Sequence, residues 1–154
     1  MLIVTLRAVQ PADLPIFFVQ QLDAEAVTMA AFSARDHAAF MQHWAKILGD
    51  DSLIKYCILA DGQVAGNIVC FDWMEHKEVG YWLGKAYWGR GIATQALIAL
   101  LQLVHERPLC AEVASHNVAS LRVLQKCGFE IVDEIKDFTD ENGEPIIGVM
   151  LKLG

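Results

Sequence analysis

Apolar positions along this chain recur with two periods, and the switches between them delimit its elements. Leu2 to Val9 is a short β-rich run, and the Gln10–Pro11–Ala12–Asp13 break opens a helix carrying Leu14, Ile16, Phe17 and Phe18. Ser33, with Asp36 after it, forms a capping arrangement ahead of Phe40, Met41, Trp44, Ile47 and Leu48, which share one helical face. Gly49 and the Asp50–Asp51 pair end that helix. Leu53 to Ala60, Val64 to Trp73 and Glu78 to Gly84 follow as an antiparallel meander, turned at Asp61–Gly62 and again around Glu75–His76. Beyond Gly91, Ile92, Ala96, Leu97, Leu100, Leu101 and Val104 repeat at helical spacing until Pro108 punctuates the end. Leu109 to Ala114 reads as a strand and Val118 to Cys127 as a helix stopped by Gly128. Phe129 to Phe138 and Ile146 to Leu153 are two last strands around Asn142–Gly143. The predicted order is β-α-α-β-β-β-α-β-α-β-β.

Composition narrows the classes. The 154 residues suit one domain, 1–154, and 55% apolar against 20% charged residues is globular composition without repeats or linkers. The longest apolar helix, Ile92 to Val104, is interrupted by Thr94, Gln95 and Gln102 and is too short to span a bilayer. Met1 to Arg7 lacks the features of a secretory signal, so a cytoplasmic protein with no membrane partner is expected. Cys57, Cys70, Cys110 and Cys127 form no CxxC pair and read as reduced core thiols; His37, His43, His76, His105 and His116 have no ligand spacing, so no metal is expected. A net charge of −7 argues against nucleic acid. It suits a cationic amine substrate, and simple solubility explains it equally well.

Candidate chemistry concentrates in one loop. Trp88–Gly89–Arg90–Gly91–Ile92–Ala93 lies between a predicted strand and a predicted helix, where free N–H groups and the helix dipole can hold an anion such as a pyrophosphate. Glycine at 89 and 91 lets successive amides form a nest, while Arg90 either adds charge or lies in solvent. Taken alone, two glycines before a helix are an ordinary turn. A nicotinamide-binding fingerprint is the rival enzyme reading, with Glu112 about 20 residues on as a ribose-binding acid. Against it, Thr94 occupies the third glycine position, and roughly half the chain precedes a loop that normally follows the first strand of its unit.

With Gly91 and Ala93 in place, the loop resembles the cofactor loop of the GNAT acetyltransferases, Gln/Arg-x-x-Gly-x-Gly/Ala, Trp88 replacing the first Gln or Arg. Asn117–Val118–Ala119–Ser120 followed by Lys126–Cys127–Gly128–Phe129 is similar to that family's second block, in register with the first. Glu78–Val79–Gly80–Tyr81–Trp82–Leu83 and Tyr87 to Ala93 most resemble the branch that acetylates ribosomal-protein N-termini. The resemblance implies an α/β (α+β) fold with a mixed, mostly antiparallel central sheet flanked by helices. It also implies acetyl-coenzyme A (acetyl-CoA) as donor and an amine acceptor, either a small molecule or a peptide or protein N-terminus. Monomer and homodimer both occur among such proteins.

By position, the resemblance implies that backbone groups of Tyr81, Trp82 and Leu83 bind the pantetheine arm. Trp88, Gly89, Arg90, Gly91, Ile92 and Ala93 would bind pyrophosphate, and Asn117 would face the arm. A protonated amine cannot attack a thioester, so a base is needed. Glu112 and Glu78 compete for that role, and each is equally readable as a solvated or structural strand residue. The Leu83 N–H would stabilise the oxyanion. The tyrosine that many relatives use to protonate the leaving thiolate is replaced by Leu124, which leaves Ser120 as the substitute or as a first-turn helix serine. Because that tyrosine is missing, a catalytically silent coenzyme A-binding sensor or interaction domain stays open beside the enzyme. Trp44, Trp73, Trp82 and Phe71 line an acceptor pocket or fill the core.

Overall fold

Each predicted strand forms in the computed structural model, which describes residues 1–154. The elements are β1 (Val4–Ala8), α1 (Leu14–Gln20), α2 (Ala24–Ala30), α3 (His37–Gly49), β2 (Ile54–Ala60), β3 (Gln63–Trp73), β4 (His76–Leu83), α4 (Ile92–Leu103), β5 (Leu109–Ala114), α5 (Val118–Lys126), β6 (Glu130–Thr139) and β7 (Pro145–Leu153). Short 3-10 turns, Pro11–Asp13 and Lys85–Tyr87, precede α1 and follow β4. The order is the expected one with one helix more, α2.

Why α2 escapes the periodicity is clear from its composition. It is seven residues long, and Ala24, Ala26 and Ala30 supply too little apolar bulk to mark a face. Its start is fixed chemically, by the Asp23 carboxylate accepting the Ala26 N–H at 2.9 Å. The cap of α3 also differs from expectation. Asp36 accepts the Ala39 N–H at 2.8 Å, whereas Ser33 donates to the Glu141 carbonyl at 2.6 Å and ties the α2–α3 link to the β6–β7 turn. The turn expected around Glu75–His76 is shifted: Trp73 and His76 pair as the last rung of the β3–β4 ladder, with Met74 in the left-handed region at φ 53°.

One seven-stranded sheet runs in the order β1-β2-β3-β4-β5-β7-β6. All neighbours are antiparallel except β4 and β5, whose parallel register is confined to Lys77↔Leu109 and Glu78↔Cys110. Beyond those pairs the two strands diverge, β4 held by eight pairs to β3 and β5 by six to β7. Near the parting, Gly66 lies opposite Leu83, and a Cβ at Gly66 would collide with the Trp82 carbonyl, so only glycine lets β3 follow β4 there. This arrangement excludes the dinucleotide reading, because the glycine loop follows the fourth strand of a mostly antiparallel sheet.

Two cores hold the sheet between its helices. Ile58, Ile68, Leu97, Leu100, Leu109, Leu124, Phe129 and Leu151 belong to the larger one, on the α4–α5 side. Phe17, Phe40, Trp44 and Cys57 pack on the α1–α3 side, which makes Trp44 core and removes it from the acceptor aromatics. Asp13 pins the start of α1 to β1 through two bonds from the Arg7 guanidinium at 2.7 and 2.8 Å, and this partner holds its carboxyl below the usual range. The four cysteines are unpaired thiols. No helix is long and apolar enough to cross a membrane.

Candidate active site

The parting of β4 from β5 opens a groove of about 450 Å³ toward the α4–α5 side. Tyr81, Trp82 and Leu83 supply one wall, the Trp88–Thr94 turn the floor, α5 the opposite wall, and Ala26, Met29 and Ala30 of α2 close one end. The Gly84 N–H is given to the Ala65 carbonyl on β3 at 2.9 Å. Strand alternation therefore turns the Leu83 and Tyr81 amides the other way, into the parting. An extended polar chain lying there would add to β4 as a strand does.

At the far end, α4 starts without a side-chain cap. Asp23, Asp36 and Asn117 cap α2, α3 and α5, but Gly91 at the head of α4 offers no acceptor, so the first-turn amides face the groove unpartnered. Gly91 has φ 75° and Gly89 φ 72°, values that L side chains rarely adopt, and a Cβ at either would meet nothing within 4 Å. Glycine is thus required here by backbone conformation, with open space in front of the amides. Arg122 and Lys126, one turn apart on α5, line the same groove and add two cations. They were missed in the sequence, although their four-residue spacing on one helical face was the available signal.

The other residues expected here divide. Trp88 uses its indole N–H on the Leu83 carbonyl at 3.1 Å, closing the end of β4, so its contribution to the groove is its ring face and backbone. Ile92 buries its side chain in the core and leaves only its backbone available. Ala93 lines the groove, but Arg90 is exposed and lies over the Tyr87 ring at 5.8 Å, outside the lining. Asn117 lines the groove and accepts the Ser120 N–H at 3.3 Å. Trp73 is half exposed at the tip of the β3–β4 hairpin, and Trp82 alone of the expected aromatics reaches the groove, its ring edge-on to Phe32.

A second cavity of about 120 Å³ lies between the diverging strands and shares Ala30, Tyr81, Asn117 and Ser120 with the groove. Glu112 lines it. Val79, Ala111 and Val113 point into the α4–α5 core, so alternation puts Glu78 and Glu112 on the opposite face of the sheet, Glu112 two residues beyond Cys110, the register partner of Glu78. Glu78 is buried at 3% exposure and bonded to His76 at 2.8 Å. Burial, then the Glu78 charge and a contact with its carboxyl, push the Glu112 carboxyl up to about 7; His76 opposes the rise and Asp137 adds to it. A carboxyl so placed exchanges a proton near neutrality.

At the junction of the cavities, the Tyr81 hydroxyl stands 2.7 Å from Ser120 Oγ. Leu124, where a tyrosine was sought, is core at 1% exposure. The hydroxyl pair comes instead from β4 and the first turn of α5.

A sheet split between its fourth and fifth strands, with an open-ended helix beside the split, is a GNAT-like arrangement. The chain belongs to the GNAT family: residues 4–130 match the family model of the acetyltransferase (GNAT) domain. YokL, an uncharacterized N-acetyltransferase derived from the SPbeta prophage of Bacillus subtilis (strain 168), is 30% identical over 135 residues, covering 81% of this chain and 75% of that protein. In fold, the chain matches RimL, a ribosomal L7/L12 alpha-N-protein acetyltransferase in complex with coenzyme A, with a TM-score of 0.83 at 20% identity over 97% of this chain and 93% of that one. Spermidine N-acetyltransferase from Vibrio cholerae, in complex with coenzyme A and spermine, gives 0.82 at 15% identity over 97% and 94%. The protein is therefore an acetyltransferase with acetyl-CoA as donor, and the groove's strand amides, open helix end and two cations suit an amide arm ending in phosphates.

Proposed function

We propose that the chain, working as one domain, moves an acetyl group from acetyl-CoA to a primary amine by direct attack, with Glu112 as the general base. The observation that carries this reading is the place of Glu112, in the wall of a small cavity that shares Tyr81, Asn117 and Ser120 with the groove, where burial and the nearby Glu78 raise its carboxyl to about 7. An ammonium entering that cavity meets a carboxyl ready to take a proton at neutral pH, and the paired acids favour a cation over a neutral competitor. The acyl carbon would lie at the junction, its oxygen toward the Leu83 amide and its sulfur toward Ser120. Coenzyme A supplies the activated thioester. The protein holds the arm on β4, the phosphates at Gly91 and the α5 cations, and the amine between the strands.

Both an α-amine and a polyamine fit this chemistry. The likeness of residues 76–130 to the N-terminal acetylating branch makes a peptide α-amine the acceptor we expect to react fastest. The test is coenzyme A release on a panel of peptide N-termini, spermidine and small primary amines. Turnover with a primary amine, rising with pH through about 7, is the expected result. Binding of acetyl-CoA without turnover on any amine would overturn the reading and leave a sensor domain.

A further inference from the structure

Tyr81 entered the site as a backbone contact, yet its side chain is the better placed part. The ring packs against the α4–α5 core, and the hydroxyl reaches 2.7 Å from Ser120 Oγ and 3.5 Å from the Ser120 carbonyl. Both residues line the groove and the small cavity, so the pair stands where donor and acceptor must meet. Ser120 is itself fixed, because Asn117 Oδ1 takes its N–H and sets the first turn of α5.

Each hydroxyl has one proton, so a single bond between them has two senses. If Ser120 donates to Tyr81, no proton is left for the cleft from Ser120. If Tyr81 donates to Ser120, the Ser120 proton is free to point outward, and each bond polarises the next. An anion forming in the cleft selects the second sense. The geometry points to Tyr81 as a positioning residue that orients the Ser120 hydroxyl toward the departing sulfur, so that Ser120 stabilises the thiolate by a hydrogen bond. This rests on the reading above that the donor sulfur lies at Ser120.

Hydrogen bonding, and not proton transfer, follows from the acidities. Burial outweighs the lowering by the Ser120 hydrogen bond and, with a small addition from the Cys127 thiol, pushes the Tyr81 phenol up to about 12. An ordinary thiol ionises near 8.5, so passing a proton from Tyr81 to the thiolate is unfavourable by roughly three powers of ten. The ammonium gives one proton to Glu112, which passes it to water; the neutral amine nitrogen then bonds to the acyl carbon, and the proton it sheds as the amide forms passes to the restored Glu112 carboxylate. The carbon–sulfur bond breaks with its electron pair on sulfur, and the thiolate leaves hydrogen-bonded to Ser120, gaining its proton from water after release.

The test compares Tyr81→Phe, Ser120→Ala and the double variant in two readouts. One is kcat and KM for acetyl-CoA; the other is the pKa of the enzyme-bound coenzyme A thiol, followed by thiolate absorbance. Each single variant is expected to lower kcat about tenfold, leave KM within about twofold and raise the bound-thiol pKa by about one unit. The double variant should be no slower than Ser120→Ala, because Tyr81 acts through Ser120. If Ser120→Ala moves neither readout, the sulfur lies elsewhere and the placement of the donor fails as well. If Ser120→Ala moves both and Tyr81→Phe moves neither, or if Tyr81→Phe changes only KM and melting temperature, the role of Tyr81 alone is overturned.

Discussion

The groove and the small cavity at the β4–β5 parting offer opposite things to an incoming group. Toward α4 and α5 lies a wide groove whose polar partners are main-chain amides and the cations of Arg122 and Lys126. Between the diverging strands lies a cavity about a quarter the size, with the Glu112 carboxyl at its wall and the buried Glu78 carboxyl close to it. In the proposed function the groove would take an anion on a long arm and the cavity a small cation. The amides of the groove are fixed by the fold, so a donor held there would be recognised by backbone. The acidity of the cavity comes from two side chains, so those side chains would select the acceptor.

Removing the acid at the heart of that contrast should have the largest effect. Glu112→Gln keeps size and hydrogen bonding but loses the proton acceptor, and kcat/KM for the amine should fall by about 100-fold. The rise in rate through about pH 7 should vanish, while acetyl-CoA affinity is kept. Stability supplies a second reading of the same group. The folded carboxyl is raised from its ordinary 4.5 to about 7, so between those values the folded protein holds a proton that the unfolded chain has released. Melting temperature should therefore fall as pH climbs through this window, and Glu112→Gln should flatten the slope. An unchanged pH–rate profile would move the base elsewhere, with Glu78→Gln as the next variant.

In the groove the corresponding variant is Gly91→Ala. Nothing would touch the added methyl, so the effect tests conformation and not crowding. A left-handed alanine is strained by about 1–2 kcal/mol. A loop that relaxes to escape this turns its amides away from the groove, and coenzyme A affinity measured by calorimetry should weaken about tenfold. Affinity within twofold of the parent would show that the first-turn amides of α4 do not hold the phosphates.

The contrast between groove and cavity also explains what could be read without a structure. Gly89 and Gly91 are conspicuous because a backbone site leaves glycines in the sequence, and the meander and the long apolar helix around them follow from periodicity. The α2 helix, which closes one end of the groove, is seven residues long with three alanines and leaves no such trace. Glu78 and Glu112 were visible as candidates, but their pairing was not, since it depends on β4 and β5 becoming parallel neighbours across a whole intervening helix. Tyr81 was seen for its backbone alone, because its hydroxyl finds a partner 39 residues away. Contacts set by sheet register are those a linear pattern conveys least.

The smallest expected effect concerns Arg122 and Lys126, both exposed on α5 beside the groove. Charges in that position are screened by water and salt, and each contributes on the order of 0.5 kcal/mol to holding an anion. Arg122→Ala or Lys126→Ala should raise KM for acetyl-CoA about twofold to threefold at low ionic strength, leave kcat unchanged, and become indistinguishable from the parent in high salt. That salt dependence is the discriminating feature. A cation that merely decorates the helix gives no change at any ionic strength, whereas one packed against the arm gives a loss that salt does not erase. A loss that disappears with salt would place both charges at the phosphate end, leaving the acidic cavity to choose the acceptor.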